Sequence, residues 1–110
     1  MLLRAINALT LCTADMARSC AFYAAVGLKP TFGGPDSPFT TFSANEPVTA
    51  DNNAMHINLM LAPSYVPPPP QPGAPGGWGR AVIFVTDVDA LHTRMSRAGI
   101  EAVRVAVPLV

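Results

Sequence analysis

Charge is the scarcest property of this 110-residue chain, with Asp, Glu, Lys and Arg together making up only 13% of it. Seven basic residues balance seven acidic ones, so there is no electrostatic footprint for a nucleic acid. No basic cluster exists that would hold an anionic membrane surface. Long apolar runs are also missing, and none approaches the roughly 18 residues of a membrane span. The opening "MLLRAINALTLC" has a short apolar part, broken by Asn7, with Leu11 rather than a small residue before Cys12, which argues against a lipoprotein-type signal. The expected compartment is therefore the cytoplasm. There are only two cysteines, Cys12 and Cys20, and their spacing fits neither a zinc site nor a redox motif. With Cys12 on a strand and Cys20 on the next helix, both read as small core residues. No Ser/His/Asp set, phosphate loop or reactive-cysteine environment is visible. What remains to be bound is a small molecule or another protein chain.

Half of the residues are apolar, enough to bury a core, and the length suits one domain. The informative feature is a repeat. "ADMARSCAFYAAVGL" (14–28) returns as "TDVDALHTRMSRAGI" (86–100), 72 positions later. Asp15 falls on Asp87, Gly27 on Gly99 and Leu28 on Ile100. Upstream, "LTLC" (9–12) falls on "AVIF" (81–84), and downstream "KPTF" (29–32) falls on "EAVR" (101–104). Each copy reads as strand, Asp cap, helix of about three turns, Gly stop and second strand. An aspartate accepts hydrogen bonds from the free N–H groups that open a helix, and a glycine takes the left-handed conformation that ends one. In the second helix Val88, Leu91, Met95 and Ala98 form an apolar stripe at helical spacing. The first helix is more apolar and should be the more buried.

Two further strands are expected between the copies, "FTTF" (39–42) after the turn-rich "GGPDSP", and "HINLML" (56–61) after a polar loop. The first half therefore reads β-α-β-β-β over residues 1–62. Residues 63–79 hold seven of the twelve prolines and read as a solvated linker, partly polyproline II. An SH3-ligand reading is weaker, since no basic residue closely flanks the prolines. Residues 80–110 are expected to form a second, incomplete module (βαβ).

A repeated β-α-β-β-β unit with Asp15, Met16, Ala17, Arg18, Ser19, Phe22, Tyr23, Gly27 and Leu28 after its first strand resembles the vicinal oxygen chelate superfamily. This is the group of glyoxalase I, bleomycin resistance proteins and extradiol dioxygenases. "FVTDVDALHTRMSRAGIE" and "GGPDSPFTTF" carry the resemblance further, over nearly the whole chain. It implies an α+β fold of paired βαβββ modules forming a curved mixed sheet cup, here with the second module truncated. That fold hosts lyases, isomerases, dioxygenases and non-enzymatic binders, so it does not decide function. A β-α-β-β-α-β ferredoxin-like sandwich is the alternative, but it needs only two strands between its helices where four are counted.

The resemblance places metal ligands on the first and fourth strands of each module. Its histidine position matches Ala8, the equivalent on the second copy is Arg80, and its glutamate position matches Asn58. Alanine cannot ligate, arginine keeps its proton, and a neutral amide is a poor sole ligand for a divalent ion. Strand alternation points Ile6, Ala8, Thr10 and Cys12 into the cup, and Leu9 and Leu11 under the helix. His56 shares the face of Asn58 and reads first as a hydrogen-bonded core or pocket residue, while His92 reads as solvated. The expected binding set is Arg80, Asn58, His56, Thr10, Met60, Phe84, Phe39 and Trp78, a few polar groups among apolar walls. Arg80 would pair with a carboxylate or phosphate, or equally snorkel to solvent beside the linker. The expected function is metal-independent binding of an organic small molecule, leaning away from enzymatic activity, with no metal or cofactor. A metal-dependent lyase or dioxygenase that recruits His56, or a shortened assembly piece, are the alternatives. A sheet lacking closing strands presents unpaired backbone groups, so a homodimer is expected.

Overall fold

In the computed structural model, residues 2–3, 5–44, 55–73 and 82–102 are described. They comprise β1 (Ala8–Thr13), α1 (Met16–Val26), β2 (Lys29–Phe32), β3 (Phe39–Ser43), β4 (His56–Leu61) and α2 (Val88–Arg97). The chain divides into two compact units, Met1–Tyr65 and Val66–Val110.

The first unit runs β-α-β-β-β. Its four strands form one mixed sheet in the order β1-β4-β3-β2. β1 runs parallel to β4, while β4–β3 and β3–β2 are antiparallel. A parallel neighbour cannot be joined by a tight turn, and the chain between β1 and β4 runs through α1, β2 and β3. Alternation then gives the sheet two different faces. On one, α1 lies against β4 and β2. The core there is Met16 and Cys20 of α1 with Phe42, Ile57 and Leu59 of the sheet, and Leu11, Tyr23, Leu28 and Leu61 pack around it. Full burial of a Phe or Leu side chain contributes about 1.5–3 kcal/mol each. Tyr23 touches the rings of Phe22 and Phe42, and burial pushes its phenol above the usual tyrosine range.

One buried polar group sits in this core without being orphaned. Thr40 is fully buried, and its hydroxyl donates to Gly34 O (3.0 Å) and accepts from Gly34 N–H (3.1 Å). It thereby ties β3 to the turn that precedes it. Pro30 pairs with Phe42 and Phe32 with Thr41, so β2 carries a bulge between them.

The repeat is reproduced down to individual hydrogen bonds. Asp15 Oδ1 accepts from Arg18 N–H at 3.0 Å, and Asp87 Oδ1 from Ala90 N–H at 2.9 Å. At the other ends Gly27 and Gly99 have φ of 114° and 80°. Leu28 N–H reaches back to Tyr23 O (3.1 Å), and Ile100 N–H to Met95 O (3.0 Å). Gly27 N–H bonds Ala24 O, and Gly99 N–H bonds Ser96 O, each 3.0 Å. Both helices therefore stop in a Schellman motif built on the repeated glycine.

Several expectations are corrected. Cys12 is exposed rather than a core residue, because it falls on the side of β1 away from α1; Cys20 is buried as expected. Leu11 packs under the helix, but Leu9 is 37% exposed, because β1 is an edge of this sheet. Ile6 precedes β1 and is exposed, so it has no place in the ladder. The strand expected at 81–84 is not formed over the described residues 82–84, where Val82 and Phe84 are exposed. A strand needs a hydrogen-bonded neighbour to persist, and the described residues give this stretch none. The terminal strand expected at 101–104 lies largely outside the described residues. α2 has no buried residue, whereas α1 has two, as its more apolar sequence implied. No helix among the described residues is long and apolar enough to cross a membrane.

Candidate functional site

The face of the sheet opposite α1 carries the candidate site. Register places its residues in three rows. Ala8, His56 and Ser43 lie side by side, then Thr10, Asn58 and Thr41, then Cys12, Met60 and Phe39. Five of the expected binding residues, Thr10, Phe39, His56, Asn58 and Met60, are thus brought onto one surface by three strands. Phe84 belongs to the second unit and is exposed. Arg80 and Trp78 lie outside the described residues.

The middle row is a hydrogen-bonded ladder. Thr41 Oγ1 donates to Asn58 Oδ1 at 2.9 Å, and Asn58 Nδ2 donates to Thr10 Oγ1 at 3.2 Å. Asn58 is half-buried, and both its bonds run across neighbouring strands rather than into the core. Thr41 was not anticipated from sequence. "FTTF" offers two adjacent threonines, and alternation alone does not say which is inside. The signal that could have found it is Phe39, since alternation from a Phe39 on the site face carries Thr41 to the same face and Thr40 to the core.

The flanking rows differ in character. Cys12, Met60 and Phe39 give an apolar, sulfur-rich and partly exposed strip, with Met60 46% exposed. On the other side His56 is half-buried and its backbone N–H bonds Asn7 O at 2.8 Å. It stands directly opposite Ala8. Ser43 also has a partner. His92 lies exposed on α2, in agreement with its solvated reading. Among the described residues no three His, Cys, Asp or Glu side chains converge.

Chemically, the face presents one line of oriented hydrogen-bonding groups between an apolar strip and an imidazole. The described residues of the ladder row and of the apolar row carry no ionised group.

Comparison with known proteins agrees with this architecture. The model of the Glyoxalase/Bleomycin resistance protein/Dioxygenase superfamily matches residues 5–108. Among solved structures the chain is similar to a bleomycin resistance determinant encoded on the transposon Tn5, known from a 1.7 Å crystal structure. The similarity has a TM-score of 0.57 at 15% sequence identity and covers 96% of this chain and 73% of that one. At this identity the likeness is one of fold. No curated protein matches the chain.

Proposed function

The chain belongs to the Glyoxalase/Bleomycin resistance protein/Dioxygenase superfamily, and from that premise we propose that it binds an organic small molecule on the open face of its sheet without a metal. The observation that carries this reading is the Thr10–Asn58–Thr41 ladder. Where the family resemblance implies a carboxylate ligand, this chain has a neutral amide whose oxygen is already engaged by a threonine hydroxyl. Ala8, at the implied histidine position, has no donor atom. The role is binding rather than catalysis, and the working assembly is a homodimer.

A second reading draws on His56, which stands beside Ala8 one strand over. An imidazole displaced by one strand would bring a single metal ligand near the family's position and support a lyase or dioxygenase.

One experiment separates the two. Purified protein is assayed for metal content and screened by thermal shift against aromatic and glycopeptide-like compounds, alongside Asn58→Leu. Compounds that stabilise the wild type, lose their effect in Asn58→Leu and need no metal are the expected result. Zinc, iron or manganese at one equivalent per chain would overturn the proposal in favour of the second reading.

A further inference from the structure

Building on that binding reading, we infer that the ladder selects a neutral ligand carrying an amide-like pair of groups, a carbonyl oxygen beside an N–H. The first step is the orientation of Asn58. The 2.9 Å contact to Thr41 suits O–H···O, and the 3.2 Å contact to Thr10 lies within the N–H···O range but beyond the usual O–H···O range of about 2.5–3.0 Å. The amide is therefore assigned with its oxygen toward Thr41 and its nitrogen toward Thr10, since the reverse would require a long hydroxyl bond to Thr10.

That orientation fixes what is left over. Asn58 Nδ2 has two hydrogens and uses one on Thr10, so among the described residues one N–H remains. Thr10 Oγ1 accepts that bond and keeps its own O–H. Thr41 spends its hydrogen on Asn58 and keeps lone pairs as an acceptor. Across three neighbouring strands the row therefore reads donor, donor, acceptor. An oxygen of the ligand sits over Thr10 and Asn58, and a donor of the ligand sits over Thr41. The adjacent Cys12–Met60–Phe39 strip takes the flat apolar body.

Charge decides the class. A carboxylate would set one oxygen against the Thr41 lone pairs, and an amidinium would set an N–H against the Asn58 and Thr10 donors. Neither finds a countercharge in these two rows. A neutral amide satisfies all three positions.

Four compounds of nearly one shape test this: benzamide, benzoate, benzamidinium and acetophenone. Each is titrated at millimolar concentration into the full chain while the side-chain amide resonance of Asn58 is followed by NMR; Asn58→Leu assigns that resonance by its disappearance. Benzamide is expected to shift it and to bind about fivefold to tenfold more tightly than either charged compound, with acetophenone between. Thr10→Val, which keeps shape and removes the O–H, should cost benzamide a few-fold and leave the fold intact by its backbone spectrum. If benzoate or benzamidinium binds as well as benzamide, the neutral-amide inference is wrong while small-molecule binding on the face stands. Silence of the Asn58 amide toward all four compounds overturns the binding reading itself.

Discussion

A single methyl group at Gly33 meets an obstacle that the rest of the turn cannot move. Its Cβ would lie 2.1 Å from the backbone oxygen of Phe39 and 3.0 Å from Thr40 Cα, and the residue has φ of +74°. Backbone atoms of a paired strand do not step aside cheaply, and a left-handed φ already costs a non-glycine residue of order 1–3 kcal/mol. Gly33→Ala is therefore expected to lower stability by more than about 2 kcal/mol. Chemical denaturation measures this directly, and an unchanged midpoint would mean that the turn relaxes away from β3. The sequence showed "GGPDSP" as a turn but not why it needs glycine at this position. That reason is a close approach between residues six apart, which composition does not encode. The site residues divide in the same way. Alternation along "HINLML" was enough to put His56, Asn58 and Met60 on one side. The partners of Asn58 depend on β1 pairing with β4 in one particular register, and tertiary packing alone selects it.

The helices show how local chemistry repeats where the surroundings do not. Asp15 and Asp87 adopt nearly the same backbone, with φ of −140° and −148° and ψ of 96° and 98°. Each caps one helix, but their settings differ. Around Asp15, Thr13 Oγ1 bonds both its backbone N–H (3.1 Å) and its C=O (3.0 Å), and also lies 2.6 Å from Ser19 Oγ. Thr13 is itself buried at the end of β1. The cap thus belongs to a network that joins strand to helix. Asp15→Ala should cost about 1–2 kcal/mol, the upper part of the usual range for a lost cap. Thermal unfolding followed by far-ultraviolet circular dichroism checks it, and a loss below a few tenths would mean that Thr13 alone holds the helix start. Element boundaries were legible because breakers punctuate them. Gly27 closes α1 just before β2 begins at Lys29, and Pro38 precedes β3. Residues 82–84 had the apolar, β-branched look of a strand equally clearly. What they lack among the described residues is a ladder, and that is a property of neighbours rather than of the segment.

For the whole molecule, assembly follows from how the sheet's edges are finished. The order β1-β4-β3-β2 leaves β2 and β1 as the edges of the described sheet. β2 carries Pro30, which has no N–H to offer, and a bulge that disturbs its outer ladder. β1 has neither device: "ALTLCT" contains no proline, no charge and no bulge, and its residues 8–10 are exposed. An edge of this kind is a template for another strand. Exposed Leu9, which stands beside core residue Ile57 on the outer strand, adds apolar surface to that edge. The protein is therefore expected to associate as a homodimer in which edge strands or modules of two chains together build each binding face. Sedimentation equilibrium at micromolar concentration should give twice the 11.5 kDa chain mass. Leu9→Lys places a charge on the edge and should shift that equilibrium toward monomer while leaving the core cluster, which excludes Leu9, in place. A wild-type chain that stays monomeric at that concentration would show that β1 is covered within its own chain, and the binding face would then be complete in a single copy.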